Sequence, residues 1–123
     1  MTGIKNKILI IDPNTVERTV MATYLRNENF DIDTCFGLKS AIKRITEGCF
    51  KCVVMDVEIP EMKGYEAVSI IKGINPEIKI IMTTAKNTKG LEAKVRKQDI
   101  FFYFIKSFAK EELKLAINDA LNK

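Results

Sequence analysis

The chain contains no histidine and no tryptophan. Without histidine, most hydrolytic triads and most transition-metal sites are excluded, because both depend on imidazole. No apolar stretch approaches the roughly 20 residues that a membrane-spanning helix needs. The start of the chain lacks the features of a secretory signal, since residues 1–7 lead directly into a short strand-like run. We therefore expect a cytoplasmic protein that does not contact a membrane.

Cysteine is scarce as well, with only three in the chain. An odd number in a chain without a secretion signal indicates reduced thiols. Cys49 and Cys52 have C-x-x-C spacing, but redox-active pairs begin a helix, whereas this pair leads into a strand-like run. No second pair completes a zinc site. We interpret the cysteines as core residues rather than as a redox or metal centre.

The 123 residues are 46% hydrophobic and 29% charged, which is typical of one soluble domain. The net charge is a mild +4. One local excess of basic side chains comprises Lys86, Lys89, Lys94, Arg96 and Lys97. No aromatic residues interleave with these charges and no DNA-reading motif follows, so a solvated helix face is favoured over nucleic-acid binding.

Strand-like and helix-like segments alternate along the whole chain. The predicted strands are residues 7–11, 30–35, 52–55, 78–83 and 101–105. The predicted helices are residues 14–29, 38–47, 64–72, 87–97 and 110–121. Continuous runs of Ile and Val fit a parallel sheet covered on both faces, and right-handed crossovers make it doubly wound. We expect an α/β fold in one domain, 1–123, with the second strand at an edge and no output domain.

The first predicted helix has a start signal and an apolar stripe. Asn14 can cap it, and Glu17 lies three residues later, as in a capping box. The stripe predicted to face the core consists of Val16, Val20, Met21, Tyr24 and Leu25.

Reactive side chains stand where four predicted strands end. Asp12 follows the first strand and Asp56 follows the third, while Thr84 and Lys106 follow the fourth and fifth. Ligands of open α/β sheets bind at the carboxyl ends of the strands. Two carboxylates, a hydroxyl and an ammonium group at this edge therefore indicate phosphoryl chemistry.

In order along the chain, these motifs resemble the receiver domain of two-component response regulators. Asp56 matches the phosphoacceptor, Pro60 and Gly64 match the loop after it, and Lys106 matches the lysine after the fifth strand. The resemblance implies a flavodoxin-like fold with strand order 2-1-3-4-5 and a role in phosphorelay signal transduction. It implies that the protein is not an enzyme, although the domain assists its own phosphotransfer and dephosphorylation. The implied partners are a sensor histidine kinase or a histidine phosphotransfer protein, and an unknown output protein.

The resemblance also implies roles for individual residues. Asp56 would attack the phosphoryl donor and carry an acyl phosphate. Lys106 would supply positive charge and Thr84 a hydrogen-bond donor for the transferred oxygens. Thr84 and Tyr103 match the pair whose rearrangement signals phosphorylation. The ligands of Mg²⁺ would be Asp12, Asp56 and the backbone carbonyl of Glu58.

Pro13 is the largest departure from the family, which usually has a second Mg²⁺-binding acid there. Proline offers neither a carboxylate nor a backbone N–H, and a hard dication prefers carboxylate oxygens. We therefore expect weaker Mg²⁺ binding and slower phosphorylation than in other receivers. The Glu58 side chain either replaces part of the missing ligand or is simply solvated, and we favour the second interpretation.

Ser107 is a second departure, because receivers usually have proline there, commonly after a cis peptide bond. A cis bond before serine costs about 3–4 kcal/mol, against about 0.5–1 kcal/mol before proline. The sequence leaves open whether Lys106–Ser107 is cis or trans.

The region around the last strand is unusually aromatic, with Phe101, Phe102, Tyr103, Phe104 and Phe108. Alternation sends some of them inward, and we expect one or two on the face formed by the fourth helix, fifth strand and fifth helix. The charged residues that many receivers use for dimer pairing are not evident there, so we expect a monomer.

Two alternatives compete with a working receiver. Pro13 and Ser107 favour a pseudo-receiver, a docking module with little or no phosphorylation. The D-x-D-like spacing of Asp56 and Glu58 also resembles that of small aspartyl phosphatases. Those enzymes carry the nucleophile on the first strand and need a cap domain, so this alternative is distant.

Overall fold

The structure is a computed structural model that describes residues 7–123. The first six residues of the predicted domain 1–123, on which the prediction of no signal segment depends, lie outside the described residues.

Strands and helices alternate throughout the described chain. The strands are β1 (Lys7–Ile11), β2 (Asp31–Cys35), β3 (Phe50–Asp56), β4 (Lys79–Thr84) and β5 (Phe102–Ile105). The helices are α1 (Thr15–Asn27), α2 (Leu38–Glu47), α3 (Gly64–Ile74), α4 (Lys89–Arg96) and α5 (Lys110–Leu121). The strands of residues 7–123 form one parallel sheet in the order β2-β1-β3-β4-β5. The predicted α/β fold, its strand order and the edge position of β2 are confirmed.

Most element boundaries agree with the sequence, and the differences have local causes. β3 begins two residues earlier than predicted, because Phe50 pairs with Lys7 of β1. α4 begins at Lys89 rather than at residue 87, because the Thr88 hydroxyl accepts a hydrogen bond from the Leu91 N–H and caps the helix. α1 ends before Asn29, whose φ of 72° is left-handed and stops a helix.

The two faces of the sheet carry separate halves of the core. Alternate residues of β1 point to opposite faces, with Leu9 in one half and Ile10 in the other. One half is covered by α2, α3 and α4, and the other by α1 and α5. The inner strands are buried on both faces, which explains their continuous Ile and Val runs.

The predicted stripe of α1 is only partly correct. Met21 and Leu25 are buried, but Val16 is 71% exposed and Val20 is 44% exposed. At 3.6 residues per turn, Val16 and Val20 lie almost opposite the face that Met21 and Leu25 define. The apolar residues of α1 therefore form two rows, and only one of them faces the sheet.

The aromatic residues near β5 divide between core and surface, as predicted. Tyr103 and Phe104 are buried, whereas Phe102 and Phe108 are exposed. No helix within residues 7–123 has the length and apolar character needed to cross a membrane.

All three cysteines are free thiols. Cys52 is buried, and burial raises its pKa to about 12. Burial also raises the pKa of Cys35 to about 11. Cys49 is exposed, so the prediction of a core role is wrong for this residue, which lies in the turn between α2 and β3. The C-x-x-C spacing thus places its two thiols in different environments.

Gly64 lies against the end of β3, where only glycine fits. A Cβ atom at this position would lie 2.1 Å from the Asp56 carbonyl oxygen and 3.0 Å from Met82 Cε. The Gly64 N–H donates a 2.7 Å hydrogen bond to the Val57 carbonyl. The backbone at the start of α3 therefore lies too close to Asp56 to leave room for a side chain.

We predict that Gly64→Ala destabilises the protein by about 2 kcal/mol or more, because the new methyl group must displace the Asp56 carbonyl. Gly73→Ala is the matched control, since a Cβ at Gly73 has no neighbour within 4 Å. It should stabilise α3 by about 0.5–1 kcal/mol. Urea unfolding of both variants measures the difference. Equal stability of the two variants would contradict the close-approach argument.

Candidate functional site

The side chains singled out at the strand ends lie at one edge of the sheet. Asp12 directly follows β1, Asp56 and Thr84 are the last residues of β3 and β4, and Lys106 directly follows β5. They meet because parallel strands place their carboxyl ends side by side. With the loops around them, Asp12, Asp56 and Thr84 line an open cleft of about 390 Å³.

The Lys106 ammonium is the centre of the site. Its Nζ lies 2.7 Å from Asp12 Oδ2, 2.7 Å from Asp56 Oδ1 and 2.6 Å from Glu17 Oε1. Asp12 is 1% exposed and Asp56 is 8% exposed. Removing one partner of a buried ion pair leaves an uncompensated charge, so these contacts are strongly interdependent.

For both Lys106 and Asp56, burial and ion pairing shift the pKa in opposite directions. Burial lowers the pKa of Lys106, but its hydrogen bonds to Asp12, Asp56 and Glu17 outweigh that effect and raise the pKa above its ordinary value. Burial raises the pKa of Asp56, and Lys106 and the Glu58 N–H only partly oppose it. The site thus keeps a charged lysine beside a carboxylate whose ionisation is costly.

Glu17 joins the site although the sequence indicated only a capping role. Its N–H donates to Asn14 Oδ1 at 2.9 Å, so Asn14 caps α1 as predicted. The reciprocal half of the predicted capping box is wrong, because the Asn14 N–H donates to Asp12 Oδ1 at 2.9 Å instead. The Glu17 carboxylate is therefore available to Lys106. The available signal was an acid in the first turn of a helix that begins at the site.

Arg18 is a second residue that sequence reasoning missed. Its Nη1 donates a 2.6 Å hydrogen bond to the backbone carbonyl of Asp12. This contact ties α1 to the end of β1 and adds positive charge beside the carboxylates. No motif in the sequence indicated it.

The backbone and the side chain of Glu58 have different partners. Its backbone N–H donates a 2.8 Å hydrogen bond to Asp56 Oδ2, so both oxygens of Asp56 have partners. Its side chain is 63% exposed and forms a 2.6 Å ion pair with Lys63. The favoured interpretation of this carboxylate as a surface group agrees with that position.

Thr84 and Tyr103 are both held in place by the loop after β4. The Thr84 hydroxyl donates to the Lys86 carbonyl at 2.9 Å and accepts from the Lys86 N–H at 3.2 Å. The hydroxyl of Tyr103, a buried residue, donates to Asn87 Oδ1 at 2.7 Å. The Thr84 hydroxyl is thus engaged with the loop rather than with Asp56.

The peptide bond between Lys106 and Ser107 is trans, as are all peptide bonds in the part of the chain that the structure describes. The choice that the sequence left open is thereby decided. Lys106 nevertheless reaches Asp56 at 2.7 Å. Replacement of the usual proline by serine therefore leaves this contact intact.

The donor set of the site fits a hard dication. Oxygens of Asp12, Glu17 and Asp56 lie within 4.8 Å of one another. Carboxylate oxygens are the ligands that Mg²⁺ prefers. The structure brings Asp12 and Asp56 together, as the resemblance implied, and adds Glu17.

We predict that Asp56→Asn raises the free energy of unfolding at neutral pH. Burial raises the pKa of Asp56, so ionisation costs more in the folded than in the unfolded protein. Asparagine removes this cost, and Lys106 keeps Asp12 and Glu17 as partners.

The stability that Asp56→Asn gains over the wild type should be largest at pH values above the pKa of Asp56 in the folded protein. It should shrink as the pH falls through that pKa towards about 3.9, the value for an unfolded aspartate. Urea unfolding at several pH values tests this dependence. A variant less stable than the wild type at neutral pH would contradict it.

Comparisons with known proteins agree with this geometry. A family model described as the response regulator receiver domain matches residues 8–118. The chain is similar to the transcriptional regulatory protein ZraR of Klebsiella oxytoca, with 26% identity over 98% of the chain and 27% of that protein. It is also similar to the DNA-binding transcriptional regulator NtrC of Azospirillum brasilense, with 28% identity over 94% of the chain and 24% of that protein. The chain spans about a quarter of the length of these two regulators.

The fold is similar to that of a solved CheY-like response regulator receiver domain protein from Methanospirillum hungatei JF-1. The TM-score is 0.88, the alignment covers 97% of this chain and 95% of the other, and the identity is 20%. This likeness shows the fold, and the family model covers well over half of the chain. The chain therefore belongs to the response regulator receiver domain family.

Proposed function

We propose that this protein is a working receiver in a two-component phosphorelay, in which Asp56 accepts a phosphoryl group from a phosphohistidine. The observation that carries the proposal is the contact of 2.7 Å between Lys106 Nζ and Asp56 Oδ1, because Asp56 also lines an open cleft. The carboxylate is close to solvent on one side and to a fixed cation on the other. A nucleophile for phosphoryl transfer needs both features.

In the proposed reaction, a carboxylate oxygen of Asp56 attacks the phosphorus of the phosphohistidine. An O–P bond forms and the N–P bond breaks, with its electron pair remaining on the imidazole nitrogen. The product is an acyl phosphate on Asp56. Lys106 then lies beside the phosphoryl oxygens and stabilises their charge. Because receivers are generally not classical enzymes, this step changes the protein itself rather than turning over a substrate.

Mg²⁺, when bound by the carboxylates of Asp12 and Asp56 and the backbone carbonyl of Glu58, supplies further positive charge for the phosphoryl oxygens. The clustering of carboxylate oxygens supports this assignment. Asp12 is also held in position from two directions, because its carboxylate accepts from the Asn14 N–H and its carbonyl accepts from Arg18.

The proposed switch connects Thr84 to Tyr103 through the loop between β4 and α4. The Thr84 hydroxyl would leave Lys86 and donate to a phosphoryl oxygen. Thr84 now holds Lys86, and the next residue, Asn87, holds the Tyr103 hydroxyl. A movement of this loop would therefore change the hydrogen bond that keeps Tyr103 inward.

The partners follow from the family. Receiver domains interact with histidine kinases and output domains, and the two similar regulators are transcriptional regulators by name. We propose a sensor histidine kinase or a histidine phosphotransfer protein as the donor, and a protein as the output. We also propose that the cytoplasmic domain of residues 1–123 acts as a monomer and does not bind nucleic acid directly.

We predict that incubation with acetyl phosphate and Mg²⁺ adds one phosphoryl group to the wild-type protein, measured by intact mass. The adduct should be absent from Asp56→Asn, which retains the shape of the side chain without its nucleophilic charge. Lys106→Met should form the adduct roughly tenfold to a thousandfold more slowly than the wild type, because a fixed charge at the transferring group is lost. A folded wild-type protein that gains no adduct at high Mg²⁺ would instead identify a pseudo-receiver docking module.

We predict that Tyr103→Phe and Asn87→Ala are energetically coupled. Tyr103→Phe should destabilise the protein by about 1 kcal/mol. Asn87→Ala should cost more, because Asn87 also donates to Glu92 Oε1 at 3.0 Å. The double variant should lose about 1 kcal/mol less than the sum, because the shared hydrogen bond is lost only once. Urea unfolding of the four proteins measures the coupling. Tyr65→Phe removes the same hydroxyl from a partly buried tyrosine of α3, so it is the matched control and should combine additively with Asn87→Ala. An additive Tyr103 cycle would show that the hydrogen bond to Asn87 does not hold this ring.

A further inference from the structure

The three carboxylates around Lys106 carry more negative charge than one ammonium can neutralise. Counting only Asp12, Glu17 and Asp56 against Lys106 leaves a charge of −2 when all four groups are ionised. Two of the carboxylates are almost fully buried, where water compensates charge poorly. Arg18, which donates to the Asp12 carbonyl, offsets part of this excess, and the site remains net negative and favours a further cation.

The three carboxylates differ in how firmly they are held. Asp12 accepts from the Asn14 N–H, and Asp56 accepts from the Glu58 N–H, so the backbone orients both. The Glu17 side chain is 36% exposed, and within residues 7–123 its carboxylate forms an ion pair with Lys106 alone. Glu17 is thus the carboxylate that can change partner at the lowest cost.

We infer that Glu17 is a ligand for the divalent cation of this receiver and that Lys106 and the cation compete for its carboxylate. This inference rests on the proposed function, because it concerns the same site. With no cation bound, Glu17 holds Lys106. When a dication binds Asp12 and Asp56, Glu17 turns to it and Lys106 keeps Asp56.

Pro13 explains why this chain depends on a helical residue for its third carboxylate. The residue directly after Asp12 offers no side-chain oxygen and no N–H. Glu17 reaches the same group of oxygens from the first turn of α1. Because Lys106 must first be displaced from Glu17, the affinity for the cation is lowered, which agrees with the weaker Mg²⁺ binding expected from Pro13.

The test is direct measurement of Mn²⁺ binding by electron paramagnetic resonance of the free ion, with Mg²⁺ as competitor. Mn²⁺ prefers the same oxygen ligands as Mg²⁺. Glu17→Gln should raise the dissociation constant about tenfold or more, because one charged ligand is lost. The double variant Pro13→Asp/Glu17→Gln should restore most of the affinity by returning a carboxylate next to Asp12. Glu47→Gln, at the exposed end of α2, removes the same charge away from the site and should have no effect.

Because Lys106 and the cation compete for Glu17, removing the Lys106 charge should have the opposite effect on Mn²⁺ binding to removing the Glu17 charge. Lys106→Met should bind Mn²⁺ more tightly than the wild type, and Glu17→Gln should weaken binding more in that background than in the wild type. Circular dichroism checks the fold of each variant, and Glu17→Gln decides the question alone if Lys106→Met does not fold.

Equal Mn²⁺ affinity of Glu17→Gln and the wild type would overturn the inference, and so would a wild-type protein that binds no Mn²⁺. The proposed function is tested separately by the phosphoryl adduct on Asp56. An adduct in the wild type together with unchanged Mn²⁺ binding in Glu17→Gln would leave the receiver function standing and remove only the role of Glu17.

Discussion

The contact of one ammonium group with three carboxylates is the interaction on which the rest of the site depends. Lys106 joins the ends of β1 and β3 and the first turn of α1 to the loop that follows β5. These segments are far apart in the chain, and their charges would repel or remain unpaired without it. A buried charge network of this kind contributes position more than net stability, since desolvation offsets much of the attraction. The positions of the side chains in the site therefore depend on contacts from several segments along this edge of the sheet.

The loops around the site are braced against the backbone at the end of β3. Gly64 lies in contact with the Asp56 carbonyl, so the start of α3 and the end of β3 cannot move independently. Glu61, in the same loop, accepts hydrogen bonds from the N–H groups of Leu38 and Lys39 and caps α2. These hydrogen bonds lower the pKa of Glu61. The loop that follows Asp56 thus supports two helices on the same face of the sheet.

Ser107 and Pro13, the two main departures from the family pattern, differ in their effects on the contacts of the site. Ser107 follows a trans peptide bond, and Lys106 still contacts Asp56. Pro13 removes a carboxylate, but it also leaves the Asn14 N–H as the first donor after Asp12, and that donor binds the Asp12 carboxylate. The released Glu17 then reaches Lys106. Glu17, in the first turn of the next helix, thus belongs to the site of this chain.

The sequence by itself determined the order of elements, the parallel sheet and the strand ends at which Asp12, Asp56, Thr84 and Lys106 stand. Apolar runs and turn residues are local signals, and a parallel sheet places all carboxyl ends at one edge whatever the loops do. Tertiary structure decided that Glu17 binds Lys106, that Arg18 holds Asp12, and that Val16 and Val20 face away from the core. Those outcomes depend on the rotation of α1 about its axis and on competition among neighbours for the same donors. Contacts between segments set both, and the acid in the first turn of α1 is only a partial local signal for them.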